Sequence, residues 1–149
     1  MNKAFINKFG ITSNEQLSDL AKKLNIKLNF VGLTDNLKNI TNGSYIINMG
    51  DKETNTSNGS HWTSLYVEEP NCLYMDSYAV LPEDTLMEIL EKNKNIKKII
   101  YNDYFQFQDI SEQLCGVWCL IFLYHMNRNK HLSLIERFKN FTKEYKNLM

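Results

Sequence analysis

Apolar positions first recur with a helical period in "TSNEQLSDLAKKLN", where Leu17, Leu20, Ala21 and Leu24 fall on one face. Ser13 and Gln16 ahead of that stripe carry the capping-box signature, so the first helix is predicted to start there. The pattern then changes. "SYIINM" (44–49) reads as a strand after the Asn42-Gly43 turn, and "DKETNTSNGS" (51–60) is the most loop-like segment of the chain. "HWTSLYV" (61–67) and "CLYMD" (72–76) are two strand-like runs separated by Glu68-Glu69-Pro70-Asn71, which predicts a β-hairpin with a four-residue loop.

A second amphipathic helix follows in "LPEDTLMEILEKN", with Pro82 near its start and Leu86, Ile89 and Leu90 on one face. "IKKIIY" (96–101) is another strand, and "NDYFQFQDISEQL" is irregular. The run 115–126 is apolar nearly all round, as expected of a central buried helix. A last helix would use Leu132, Ile135, Phe138, Phe141 and Tyr145, with Ser133 and Glu136 as its capping box. The sum is an α+β domain, a mixed or antiparallel central sheet packed against a buried central helix.

At 149 residues the chain fits a single domain over 1–149 with room for one core and one site. Formal charge is zero with the signs interleaved, so nucleic acid is not an expected partner. No apolar stretch approaches the ~20 residues of a membrane span, and "MNKAFINKFG" lacks the apolar region of a signal peptide. The expectation is a soluble intracellular protein without a membrane partner. Three cysteines, Cys72, Cys115 and Cys119, form no disulfide framework, which fits a reducing compartment and leaves free thiols. Arginine occurs only at Arg128 and Arg137 against abundant Asn and Lys, a bias of AT-rich coding rather than of chemistry.

The hairpin places chemistry. With its loop at 68–71, Val67 faces Cys72, Asp76 faces Thr63, and Asp76 becomes the diagonal cross-strand neighbour of His61. A one-residue slip would send Asp76 to the other face and leave Glu68, Glu69 and Asp84 as the remaining carboxylates. A thiol nucleophile needs a base, and the base works better when a third group fixes its tautomer. His61 and Asp76 supply both. Cys115 opens the buried helix, where unpaired amides and the helix dipole favour a thiolate, and Gly116 leaves room for a substrate backbone. An oxyanion needs donors: the Cys115 amide is one candidate, and Gln108 is another, in competition with Gln106 and Gln113.

Each of these residues has a plainer role to set beside this one. An isolated Cys115 would be core, as Cys119 is expected to be, while Cys72 is expected half-buried and inert. Asp76 alone would cap the Ser77 turn, and Trp62 alone could be ordinary core. Cys115, Cys119, His125 and His131 imitate a zinc spacing, but His125 should face away from the two thiols. His125 is expected at an exposed helix end and His131 in a loop. Metal and cofactor are therefore predicted to be none.

"GSHWTSLYV", "YMDS" and "FQFQDISEQLCGVWC" together resemble, in order and spacing, the His-Trp, Asp, Gln and Cys-Gly blocks of the adenovirus-protease and SUMO-protease superfamily of cysteine peptidases. The resemblance covers roughly 42–126, and "LAKKLNIKLNFVGLTDNL" with "NGSYIINM" is similar to the opening segment of small viral members. It implies an adenain-like fold, papain-like in the broad sense, with His61 as base, Asp76 as orienting acid, Gln108 as oxyanion donor and Cys115 as nucleophile. It further implies Trp62, Gly59 and Gly116 along a narrow substrate channel. In size the chain looks nearest the minimal proteases of virophages, polinton-like elements and large DNA viruses. These imply cleavage of viral capsid or other polyprotein precursors at Gly-Gly-x sites, in the host cytoplasm, a viral factory or the virion. The adenovirus enzyme pairs its His with Glu and is activated by DNA and a peptide; Asp76 and zero net charge argue against that here. The same site could also serve a ubiquitin-like-modifier protease or a Cys-dependent acetyltransferase. A non-enzymatic adaptor or zinc module is the third reading.

Overall fold

The computed structural model describes residues 13–49, 61–102 and 115–145. Helix α1 (Asn14–Lys23) begins at the predicted capping box: Ser13 Oγ accepts from the Gln16 amide at 3.2 Å, and Gln16 Oε1 accepts from the Ser13 amide at 2.9 Å. Leu17 and Ala21 are buried, with Leu20 and Leu24 packed beside them. Five strands follow in order across one sheet: β1 (Leu28–Leu33), β2 (Gly43–Asn48), β3 (Trp62–Glu68), β4 (Asn71–Met75) and β5 (Lys98–Tyr101). The outer pairs β1/β2 and β4/β5 are parallel, and the two inner pairs are antiparallel. Helix α2 (Asp84–Lys92) lies between β4 and β5 in sequence, and α3 (Cys115–Met126) and α4 (Leu134–Tyr145) complete the described chain.

Both faces of the sheet are covered. Ile46, Trp62, Tyr66, Leu73 and Met75 point into one cluster with α1, α3 and α4, whereas Tyr45, Ile47, Leu65, Val67, Cys72 and Tyr74 point into another with α2. This explains why the central strands read as nearly continuous apolar runs rather than as clean alternation. Helix α3 is buried from Gly116 to Leu123 because the sheet, α1 and α4 surround it. Each Phe or Leu hidden there adds about 1.5–3 kcal/mol over leaving it in water.

Several expectations need correction. Strand β1 has no counterpart among the predicted elements: a register shift between Leu28 and Phe30 interrupts its period of two, and Gly32 weakens its propensity. Glu68 pairs with Asn71, so the hairpin turn is the two residues Glu69-Pro70 rather than four. Helix α4 is rotated relative to the expected stripe: Leu134 is buried and Ile135 is 38% exposed. Ser133 Oγ does accept the Glu136 amide, at 3.2 Å. Cys72 is fully buried, not half-buried. His125 is not an exposed helix end; its Nε2 lies 3.2 Å from Tyr145 Oη at the α3–α4 contact. Among the described residues no helix is long and apolar enough to cross a membrane.

Candidate active site

The C-terminal ends of β2, β4 and β5 and the N-terminal end of β3 lie at the same end of the sheet. His61 immediately precedes β3, and its carbonyl accepts the Met49 amide at 2.8 Å, which continues the β2–β3 ladder by one step. Asp76 immediately follows β4. The ladder pairs Ser64 with Met75, and its extension brings His61 Nε2 to 2.7 Å from Asp76 Oδ1. The carboxylate accepts, so Nε2 carries the proton and Nδ1 is left for another partner.

Asp76 is 1% exposed and fixed from several directions. Its amide donates to Asn102 Oδ1 at 2.9 Å, and its carbonyl accepts Asn102 Nδ2 at 2.7 Å. Its Oδ1 also accepts the Tyr78 amide at 2.8 Å, while the Ala79 amide reaches the Asp76 carbonyl at 2.9 Å and closes a turn. A buried carboxylate held by this many donors stays where β4 leaves it. The Tyr78 ring stacks on the His61 imidazole, centroids 4.8 Å apart and planes at 30°.

Cys115 is the first residue of α3, and its Sγ accepts the Trp62 amide at 3.4 Å, which ties the helix start to the first residue of β3. His61 Nδ1 is buried with no hydrogen bond of ordinary geometry. Burial works against protonating this ring, but the Asp76 hydrogen bond, the neighbouring Cys115 and the Asp76 charge outweigh it and raise the pKa from 6.5 to about 9. The three thiols differ in burial. Burial pushes Cys72 up to about 12 and Cys119 well above its ordinary value, whereas Cys115 is the half-buried one.

No family model and no curated protein sequence matches the chain. Among solved structures it is similar to the crystal structure of the ASFV pS273R protease, with a TM-score of 0.53 and 14% identity, covering 97% of this chain and 69% of that one. The selenomethionine form of the same protease gives a TM-score of 0.49 at 12% identity, covering 97% and 70%. The fold is similar to that of the ASFV pS273R protease.

Of the residues singled out in the sequence, His61, Asp76 and Cys115 come together here. The Trp62 side chain is buried in the cluster on the α3 side while its amide faces the thiol, and Gly116 is buried in the first turn of α3. Gly59, Gln106, Gln108 and Gln113 lie outside the described residues. Glu68 pairs with Arg137 instead of the imidazole. Cys119 sits one turn below Cys115 in the core. Among the described residues no three His, Cys, Asp or Glu side chains are grouped to hold a metal ion. Sequence reasoning missed Asn102 and Tyr78. A polar residue following the apolar run "IIY" was a signal for the first; nothing in the sequence pointed to the second.

Proposed function

We propose that the protein is a cysteine endopeptidase. The observation that carries this reading is His61 held by a buried carboxylate on one nitrogen and left open to the half-buried Cys115 on the other. In the proposed reaction Cys115 first passes its thiol proton to His61, and the resulting thiolate, paired with the imidazolium, attacks the scissile carbonyl. The Cys115 amide and Gln108 receive the oxyanion. Collapse of the tetrahedral intermediate breaks the C–N bond, His61 Nδ1 protonates the leaving amine, and a thioester remains on Cys115. Water, deprotonated by His61, then hydrolyses the thioester and restores the thiol. Asp76 holds the imidazole tautomer and supports its positive charge.

The fold similarity to a viral protease supports an extended peptide substrate; we assign viral structural precursors cut at Gly-Gly-x, with the Trp62 main chain, Gly59 and Gly116 along the channel. The site of action would be the host cytoplasm, a viral factory or the virion. The expected outcome of Cys115→Ala is loss of cleavage of a co-expressed capsid precursor by roughly 10⁴-fold or more with an unchanged fold. Asp76→Asn should cost less than loss of Cys115 or His61. Wild-type cleavage by Cys115→Ala overturns the assignment, and turnover of modifier fluorogenic substrates alone redirects it to a modifier protease.

Acetyl transfer from a coenzyme gains no support from the electrostatics. A cleft of about 620 Å³ lined by Lys27, Lys38 and Lys130 could take phosphates. It opens beside Asn127, just past the far end of α3, about 17 Å along the helix from Cys115.

A further inference from the structure

The turn after β4 does more than end a strand. Tyr78 touches both partners of the candidate nucleophile: its amide donates to Asp76 Oδ1 at 2.8 Å, and its ring covers the His61 imidazole at 4.8 Å. Ala79 closes the turn with φ at 60°, a left-handed conformation that is strained for a residue with a Cβ. Strain of this kind persists only where surrounding contacts over-determine it. It is stored three residues from Asp76, whose side chain grips the imidazole.

We propose that Tyr78 is a positioning residue for the Cys115–His61 pair, its ring fixing the plane of the imidazole while its amide fixes the carboxylate behind it. The inference rests on the peptidase reading. An imidazole bonded at Nε2 alone can still pivot about that bond. A flat ring on its face removes the pivot and keeps Nδ1 aimed at the sulfur. An aromatic face also favours the imidazolium that forms when the thiol proton is transferred. Leucine keeps the main-chain bond to Asp76 and loses the stacked face; phenylalanine keeps both.

The test needs no natural substrate. Alkylation of the intact protein by iodoacetamide is followed from pH 5 to 10, with the modified cysteine located by mass spectrometry. Wild type and Tyr78→Phe should share one rate–pH profile at Cys115. Tyr78→Leu should react roughly fivefold more slowly at neutral pH, with its rise shifted to higher pH. Tyr78 is half-buried, so the fold should survive; Tyr78→Met provides a second flexible replacement and should behave like Leu. A fast wild-type Cys115 with an unchanged Leu or Met profile overturns the positioning role and leaves the peptidase reading standing. Phe as slow as Leu also overturns it, by assigning the effect to the hydroxyl. A wild-type Cys115 no faster than a free thiol overturns both.

Discussion

At the scale of single residues, the interactions that hold His61 also make it a source of pH-dependent stability. Its folded pKa of about 9 lies above the unfolded value of 6.5. The stabilising contribution is therefore complete below about pH 6.5 and disappears as pH rises through 9. At ~1.4 kcal/mol per unit its ceiling is on the order of 3 kcal/mol. Urea unfolding of the wild type should show stability falling between pH 6.5 and 9, and His61→Gln should flatten that slope. An equal slope in both proteins would mean that the Asp76 contact does not bind the proton. The residue pair was legible in advance because hairpin register is arithmetic once the turn is placed. The turn after Asp76 was not, because nothing in "SYA" announces that a tyrosine folds back over a histidine.

At the scale of elements, propensity and capping predicted α1, α2 and α3 with little error, and failures came where tertiary geometry overrode local pattern. Strand β1 is the clearest case: its bulge and its parallel pairing with β2 hide the alternation that would identify it. The start of β2 shows how closely these two strands approach. Gly43 has φ at 141°, and a Cβ there would collide with Asn29 Oδ1, in the side chain whose Nδ2 donates to the Asn42 carbonyl at 3.0 Å. Gly43→Ala should lose about 2 kcal/mol in denaturant unfolding, from backbone strain and the displaced amide. Adding Asn29→Ala should relieve the steric part only, leaving the double variant still less stable than Asn29→Ala alone. For α4, the expected stripe of Leu132, Ile135, Phe138, Phe141 and Tyr145 does not include Arg137. Arg137 sits among Leu134, Phe138 and Phe141 on the buried face, and a lone arginine at that phase was the available signal.

At the scale of the whole molecule, Arg137 joins three elements. It is 2% exposed; its Nη1 donates to the Met126 carbonyl at 2.6 Å and reaches Tyr66 Oη at 3.4 Å, and its Nη2 pairs with Glu68 at 2.5 Å. The guanidinium thus closes α3, anchors α4 and holds the end of β3 far from Cys115. A single ammonium cannot serve acceptors spread across that fork. Arg137→Lys should cost about 2–4 kcal/mol by chemical denaturation while leaving Cys115 alkylation unchanged below the transition. Lysine at wild-type stability would show that charge alone suffices. The α+β class and the two-strand scaffold of the site could be read from sequence because they rest on local periodicity. The second face of the sheet and this buried arginine depend on contacts between elements distant in sequence, which periodicity does not record.

The hairpin also bears on how such a protein diverges. Side chains along β3 and β4 can be exchanged for others of similar volume at modest cost. Hairpin length is a different matter. Removing one residue from either strand reverses the parity of every position beyond it, so the carboxylate after β4 would exit on the wrong side of the sheet. Removing one from each strand, as a matched pair, would shorten the arm and leave its parity intact. The sequence separation of fifteen from His61 to Asp76 is thus a gauge that insertions and deletions can alter only in even steps.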